Sequence, residues 1–421
     1  MLTRLDIKKL FDRFDYNIVL KPEGITILTG PNGYGKSTIL KCIEALSQGD
    51  IYFFSELDFK EINFYFDNLE SETISIIKTK NELFINKNRI PLKKLAEENR
   101  FKNKHYIIRI DEDKWLDRRN GEIFDKDFLI KEMIYNKYEN QITFFDEDLS
   151  FKFSDISKKL KESTGKIYYI KEQRLIQRKV DKNEPKVINV IEELPKKLKN
   201  LISEISNDYS TVANELDSSY PNRLFSMDKG ISEIEYKNQM EEMTNKFEKL
   251  NKYDISALKT SANVIFKAEH NKALKIYFDD FNIKYKVYED FIRKLDIFTN
   301  IVNGRLSYKQ IKISREYGII VTDNENSNKT LKLSQLSSGE KQVIVLFYEL
   351  IFEVPNNLIL LIDEPEISLH ITWQKKFMDD LLQIVDYKGI KVIVATHSPQ
   401  IINNHWDRQI DLGLIYGNDI N

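Results

Sequence analysis

Hydrophobic positions along the chain follow two periodicities, and they alternate. Ile25-Thr26-Ile27-Leu28-Thr29, Leu358-Ile359-Leu360-Leu361-Ile362 and Val392-Ile393-Val394-Ala395-Thr396 are short, nearly continuous apolar runs. Strands without polar alternation are buried on both faces, the pattern of a parallel sheet covered by helices. After the first run, Ile39, Leu40, Cys42, Ile43 and Leu46 recur at spacings of three and four. That spacing predicts one face of a helix ending near Gly49. Leu5 and Ile7, then Ile18 and Leu20, predict two strands about a turn region at Asp12–Asp15. The period-two fragments Thr73–Ile77 and Leu83–Ile85, bounded by Asn and Asp, predict antiparallel hairpins. His105–Ile110 and Gly165–Ile170 read as further strands, and the charged stretches Glu97–Lys104 and Asp111–Arg119 as solvated loops or helix faces.

From about Val180 to Arg305 the pattern changes to long charged segments with helical apolar spacing. Met240, Met243, Phe247 and Leu250 follow the a/d rhythm of a short coiled coil, as do Tyr288, Phe291, Ile292, Leu295 and Phe298. With a break near Asp254, they predict an antiparallel helical hairpin. Gln310–Ile313 and Gly318–Val321 return to strands, an apolar helix runs from Val343 to about Phe352, and Leu369, Trp373, Phe377 and Leu381 mark one helix face. Three parts are expected: 1–180, a helical insertion over 181–305, and 306–421. Neither internal repeats nor low-complexity segments interrupt them.

Composition narrows the class. With 421 residues, 41% hydrophobic and 31% charged, the chain can bury a large core over two or more structural units. Its 64 basic and 66 acidic residues give a net charge of −2, which argues against a global attraction to nucleic acid and leaves a local basic face open. The single cysteine, Cys42, excludes an internal disulfide and a cysteine-rich zinc site and suits a reducing, cytoplasmic compartment. No apolar run reaches the roughly 18 residues of a membrane span, and the N-terminus has no leader pattern, so no membrane partner is expected.

The chemistry begins at Gly30-Pro31-Asn32-Gly33-Tyr34-Gly35-Lys36-Ser37-Thr38, between the first apolar run and the helix behind it. Strand, Gly-x-x-x-x-Gly-Lys-Ser, helix is the context of a phosphate-binding loop. The glycines let backbone N–H groups turn toward an anion, and the helix N-terminus adds its positive dipole end. Lys36 is expected on the β- and γ-phosphates, and the Ser37 hydroxyl on Mg²⁺.

A second block completes the set. The run at Leu358–Ile362 ends in Asp363-Glu364-Pro365, and the run at Val392–Thr396 delivers His397. Ligands of open α/β sheets sit at the carboxyl ends of parallel strands, where loop, carboxylates and histidine would meet around one phosphate chain. Asp363 is expected to hold Mg²⁺, Glu364 to orient and deprotonate the attacking water, and His397 to contact the γ-phosphate side. Each of these residues alone also fits a solvated loop; their order along the chain argues for the site.

On these residues the chain resembles ABC-type ATPase heads of the SMC/RecF/OLD-like group. The resemblance implies an α/β fold, an ABC ATPase head in which a P-loop mixed sheet and an antiparallel β lobe are interrupted by a helical, partly coiled-coil insertion. It makes Gly30–Ser37 the Walker A loop, Asp363 and Glu364 the Walker B end, and Leu336-Ser337-Ser338-Gly339-Glu340-Lys341-Gln342 the signature motif. Ser368-Leu369-His370 matches the D-loop and His397 the switch histidine. Gln173, in Tyr169-Ile170-Lys171-Glu172-Gln173-Arg174, matches the Q-loop glutamine, with a share in Mg²⁺ binding and catalysis. The signature reads Ser-Ser-Gly-Glu rather than Ser-Gly-Gly-Gln, as in the soluble branch and away from transporters. The motifs occupy both ends of the chain, while roughly the middle third matches nothing specific.

The resemblance also implies a mechanism. Two heads would sandwich two ATP molecules, with Ser337 and the Gly339 backbone of one chain closing on the nucleotide of another in a homo-dimer or larger homo-oligomer. No nuclease domain of the OLD or Gabija type, zinc hook or long coiled-coil arm is expected. The chain therefore resembles stand-alone ATPases of bacterial anti-phage systems, most of all the PARIS type through Leu10–Tyr16 and Ile401–Asp407, with Septu-type and retron-associated ATPases close by. That implies a separate effector, such as a TOPRIM-type nuclease, and a phage-encoded trigger. Two readings from other classes stand beside it. A RecF- or SMC-like repair ATPase would clamp DNA, using Arg174, Arg178, Lys179 and the Lys196-Lys197-Lys199 cluster, which also fits a solvated helix face. An interaction scaffold would bind ATP without appreciable turnover.

Overall fold

The computed structural model describes the chain except for residues 68–72, 97–106, 110–113, 118–122, 126–146, 171–174, 182–183, 256–265, 326–328 and 419–421. It divides into two compact units. The first comprises Met1–Gln173, Arg178–Ile188 and Pro355–Asn421, and the second Arg174–Gln177 and Asn189–Val354. Gln173 and the flanking positions to Arg174 lie outside the described residues, as does Glu97–Lys104.

The first unit opens with β1 (Leu2–Leu10), β2 (Phe14–Val19) and β3 (Ile25–Thr29), then α1 (Lys36–Gln48) and α2 (Ile51–Glu56). All five residues of β3 are buried. Gly49 ends α1 at φ 62°, and a Cβ there would fall 2.3 Å from the Ser157 carbonyl oxygen, so glycine alone fits this left-handed cap. There follow β4 (Glu61–Phe66), β5 (Ile74–Lys78), β6 (Glu82–Ile85) and β7 (Asn88–Pro91), which join β1 and β2 in an antiparallel sheet of order β2-β1-β4-β5-β6-β7. Ile62, Phe64, Ile74, Ile76, Leu83 and Ile85 are its buried alternate residues, the period of two seen from a half-buried sheet. The two strand fragments expected at Thr73–Ile77 and Leu83–Ile85 are present as β5 and β6, paired antiparallel as one hairpin, and β6 forms a second with β7.

Next come β8 (Ile107–Arg109), β9 (Lys114–Asp117) and β10 (Ile123–Asp125), a small antiparallel sheet. Here the expectation of a loop or helix face over Asp111–Arg119 is corrected. Within it Lys114–Asp117 is a strand, in which Trp115 and Leu116 stand opposite Phe124 and Ile123; residues 111–113 and 118–119 lie outside the described residues.

α3 (Glu147–Thr164) leads into β11 (Ile167–Ile170), and β12 (Ile176–Asp181) pairs with β13 (Glu184–Asn189). At the far end of the sequence, β17 (Ile359–Asp363), α8 (Ile371–Lys388), β18 (Lys391–Ala395), α9 (Pro399–Ile402), β19 (Gln409–Asp411) and α10 (Leu412–Asn418) complete the first unit. The central sheet has the order β11-β17-β18-β3-β19, and every pairing in it is parallel. Its register sets Asp363 opposite Ala395 and Ala395 opposite Leu28. The three apolar runs therefore end level with one another, and each hands its next residues to the same edge. Ile39, Leu40, Cys42, Ile43 and Leu46 of α1 share one core with Leu28, Leu361 and Ile393 of the sheet and with the inner face of the antiparallel lobe.

The second unit contains α4 (Val190–Ser226), α5 (Glu233–Lys252), α6 (Asn271–Asn303), the antiparallel strands β14 (Lys309–Ser314), β15 (Gly318–Asp323) and β16 (Thr330–Leu331), and α7 (Ser338–Tyr348). Met243, Phe247 and Leu250 are buried as the a/d rhythm requires, and so are Tyr288, Phe291, Ile292, Leu295 and Phe298. The helix direction differs from expectation. The Ile231 N–H donates to the Asn271 carbonyl, Phe247 meets Phe281 with centroids 4.8 Å apart, and the Tyr253 hydroxyl lies 3.1 Å from Thr299. Residue numbers rise together on both helices, so α5 and α6 are parallel. The antiparallel partner of α6 is α4, where Tyr209 meets Tyr288 and Arg223 grips Asp280 in a bidentate pair. Connection length permits the crossover. About 18 residues at ~3.3 Å reach some 60 Å, twice the roughly 30 Å length of α5. Lys197, from the basic cluster on α4, pairs with Glu353 at 2.5 Å. Among the described residues no helix is long and apolar enough to cross a membrane.

Candidate nucleotide site

β3 runs into the phosphate loop, whose backbone needs glycine. Gly30, Gly33 and Gly35 have φ of 140°, 86° and 83°. At Gly35, the N-cap of α1, the conformation demands glycine, and a Cβ would also push on Leu10 Cδ2 at 2.8 Å. Asn32 is exposed on the loop, and Thr38 lies half-buried in the first turn of α1. Lys36 begins the helix with its side chain buried at 6% exposure, and its Nζ donates to the carbonyls of Gly30 at 2.8 Å and Pro31 at 3.3 Å. The ammonium is thus held inside the curl of its own loop, beside the helix N-terminus where an anion is favoured. Beside it the β1–β2 turn sets Phe11, 42% exposed, next to Gly35, with Lys9, Phe11 and Asp12 all at positive φ.

β17 brings up the carboxylates. The Ser37 hydroxyl donates to Asp363 Oδ1 at 3.0 Å, and the Tyr169 hydroxyl, from β11, donates to Asp363 Oδ2 at 2.9 Å. Tyr169 is pushed well above the usual phenol range, first by burial and then by the Asp363 charge, so it remains a donor. Ser37 Oγ and Asp363 Oδ1 form a pair of hard oxygen donors at the mouth of the loop, the donor set that suits Mg²⁺.

Glu364 follows with φ 43° and ψ 58°, a left-handed conformation that costs a non-glycine residue about 1–3 kcal/mol. Its N–H donates to the Ala395 carbonyl at 2.9 Å, which ties the strained residue to the end of β18. The carboxylate lies 2.6 Å from His397 Nδ1. Burial, then the neighbouring Glu366, push the Glu364 carboxyl up to about 7, while His397 draws it down. His397 is 51% exposed at its side chain, so one face of the imidazole is open to a ligand.

Not every expected residue lies in this unit. Lys36, Ser37, Asp363, Glu364 and His397 come together at the edge of the parallel sheet, whereas Ser337 and Gly339 belong to the second unit. There Ser337 caps α7, accepting from the Glu340 N–H at 3.3 Å while Glu340 Oε2 accepts from the Ser337 N–H at 2.8 Å. Lys309 Nζ lies 3.1 Å from both Glu340 oxygens. Ser337 is exposed and Gly339 half-exposed, so this helix N-terminus is open to an anion. His370 caps α8 through Nδ1, which accepts from the Thr372 N–H at 3.4 Å, and Leu369 before it is buried.

Two residues of the site escaped sequence reasoning. In the sequence Tyr169 reads as a strand residue at the start of the stretch that leads to Gln173, with no role of its own. Glu366 sits two places beyond Glu364, 5% exposed at its side chain, and its Oε1 accepts from the Thr396 hydroxyl at 2.5 Å and from the N–H groups of His397 at 2.9 Å and Ser398 at 3.1 Å. A second acidic residue immediately after Asp-Glu-Pro was the available signal.

The profile described as an AAA ATPase domain matches residues 6–402. Among curated proteins, the chain is similar to the Retron Ec83 probable ATPase of Escherichia coli, 28% identical over 145 residues that cover 32% of this chain and 26% of that protein. It is also similar to the phosphonates import ATP-binding protein PhnC 2 of Rhodopseudomonas palustris (strain BisA53), 30% identical over 132 residues, 29% of this chain and 48% of that one. The aligned segments thus span less than half the length of these relatives. Among solved structures, an Smc head domain with an extended coiled coil, bound to the C-terminal domain of ScpA and derived from Pyrococcus furiosus, aligns over 96% of this chain and 91% of that chain at 14% identity and a TM-score of 0.37.

Proposed function

The chain belongs to the AAA ATPase domain family, and from that premise we propose that it is an ATP-driven switch: it binds ATP with Mg²⁺, closes with another copy of itself, and reopens on hydrolysis. The observation that carries this reading is the convergence at one sheet edge of Lys36, the Ser37–Asp363 pair and the Glu364–His397 pair. Lys36, already inside the loop, exchanges its carbonyl partners for phosphate oxygens. Ser37 and Asp363 are the residues that would hold Mg²⁺, which when bound neutralises the charge of the phosphate chain. Glu364 takes a proton from the attacking water, and His397 turns its open face to the terminal phosphate. Ser337 and the first N–H groups of α7 form a second anion site suited to the γ-phosphate held by another copy.

What the switch controls is inferred from the relatives. Similarity to a retron-associated ATPase supports a role in bacterial defence, with a separate effector held in the cytoplasm and released on a phage-derived signal. The test is affinity purification of the Glu364→Gln protein from its native host, with identification of the bound material. A co-purifying nuclease or other toxic protein is the expected result. Recovery of DNA alone, or of recombination proteins, would overturn the effector reading in favour of a repair clamp.

A further inference from the structure

The side chain that the hydrolytic scheme leaves without a task is Glu366. Burying a carboxylate costs several kcal/mol unless donors surround it. Here one oxygen, Oε1, collects three: the Thr396 hydroxyl and the successive N–H groups of His397 and Ser398. Successive N–H groups aimed at one point form a concavity for an anion, and a side chain of the same chain fills it. Oε1 also lies 3.2 Å from His397 Nδ1, the atom that contacts Glu364 at 2.6 Å. The other oxygen, Oε2, is buried with no hydrogen-bond partner. A purely packing role would not favour a carboxylate with an orphaned oxygen at this place.

A second bridge runs beside it. Gln374 of α8 donates to the carbonyls of Leu369 at 3.0 Å and Glu366 at 3.3 Å, and its Oε1 accepts from the Ser398 hydroxyl at 2.8 Å. The turn that follows Glu364 and the turn that carries His397 are therefore clasped together at two points.

We propose that Glu366 is a positioning residue for ATP hydrolysis: its buried carboxylate fixes the 396–398 turn and thereby sets the His397 imidazole against Glu364. The inference rests on the reading that Glu364 and His397 serve hydrolysis. Without the carboxylate the histidine turn loses three hydrogen bonds and the imidazole loses its place, while the phosphate loop is untouched.

The test is a double-mutant cycle on the full chain with Glu366→Ala and His397→Ala, measuring turnover at saturating ATP and, separately, the Kd of a fluorescent ATP analogue. Glu366→Ala is expected to lower kcat roughly tenfold or more, the scale of a misplaced catalytic group, with Kd within about twofold. The double variant is expected to be no slower than His397→Ala alone, because residues acting as one unit are not additive. Glu366→Gln, which keeps an oxygen acceptor of the same shape, should recover a substantial part of the lost kcat. Multiplicative losses in the double variant, or a Kd that weakens while kcat holds, would overturn the inference. A fully active Glu366→Ala beside a slow His397→Ala would sink it while leaving the site reading intact. A fully active His397→Ala would sink both. Should Glu366→Ala fail to fold, Thr396→Val, which removes one donor to the same oxygen, replaces it in the cycle.

Discussion

The Ser37 hydroxyl donates to Asp363 across 3.0 Å, although 326 residues separate them in the chain. This contact is set by the parallel sheet, because β3 and β17 both flank β18 and end level with it. It yields a metal prediction. Asp363→Asn removes the charge beside Ser37 while keeping its shape, so Mg²⁺-dependent ATP affinity should fall by roughly one to two orders of magnitude, given about 1.5–3 kcal/mol for a charged hydrogen bond. Titration of a fluorescent ATP analogue with and without Mg²⁺ checks it. The variant should bind almost equally in both conditions.

Lys36 is buried inside the loop, bonded to the carbonyls of Gly30 and Pro31. Lys36→Ala removes the positive charge nearest the expected phosphates and leaves those carbonyls facing them. ATP affinity should drop at least tenfold, by loss of a charge-assisted contact, with little change in thermal midpoint. Unaltered affinity would mean that the loop does not cradle phosphate.

The pH dependence of turnover follows from Glu364. Its carboxyl titrates at about 7, raised by burial and by Glu366. A general base must be deprotonated, so the group is inactive when protonated below that value and active above it. Turnover at saturating ATP should therefore climb as pH rises from about 6 to 8 and then level off. Glu364→Gln should slow hydrolysis by about 10²–10⁴-fold, the usual contribution of a positioned base, and abolish the rise. A wild-type profile flat across this window would assign the base elsewhere.

Much of this site was legible in the sequence, for a physical reason. β3, β17 and β18 are buried on both faces, so their residues read as unbroken apolar runs whose ends mark where the ligand-facing residues begin. The glycines of the phosphate loop are likewise forced by backbone conformation. What remained hidden depends on partners that only register and crossover supply. Tyr169 looks like any strand tyrosine until β11 aligns beside β17 and aims its hydroxyl at Asp363. Glu366 looks like a solvated acid until β18 delivers three donors to it. Periodicity located the buried faces of α5 and α6 but not their relative direction, since an a/d stripe packs in either sense. Around Trp115, the charged neighbours hid a strand that only its backbone pairing with β8 and β10 reveals.

The core of the first unit offers a stability control. Phe54 is fully buried and meets Phe53, Phe59 and Phe64 edge-on, with ring centroids 5.4, 6.4 and 6.5 Å away. Phe54→Ala should cost about 3–5 kcal/mol by lost burial and the cavity left behind. Chemical unfolding followed by circular dichroism measures it. Because Phe54 lies in α2, outside the phosphate loop and the carboxylate strand, ATP affinity of the folded fraction should be preserved.

The last prediction concerns Ser337, which both caps α7 and is exposed at its N-terminus. Glu340 closes the capping box and is held in turn by Lys309, and Ser337 N–H and Lys309 together outweigh its burial to keep its carboxyl below the usual range. Ser337→Arg would place a long cation where the helix dipole and the proposed γ-phosphate of another copy should meet. It also removes the cap, at a cost of about 0.5–2 kcal/mol, which Ser337→Ala reproduces without adding bulk at the surface. Comparing the two separates the effects. If α7 closes on ATP in trans, Ser337→Arg should bind ATP with unchanged Kd yet lose ATP-dependent self-association, measured by light scattering of the chain with and without ATP. Ser337→Ala should lower the thermal midpoint by a similar amount while retaining part of that association. Equal, normal association of the Ser337→Arg variant would show that the α7 terminus does not face the nucleotide of a second copy.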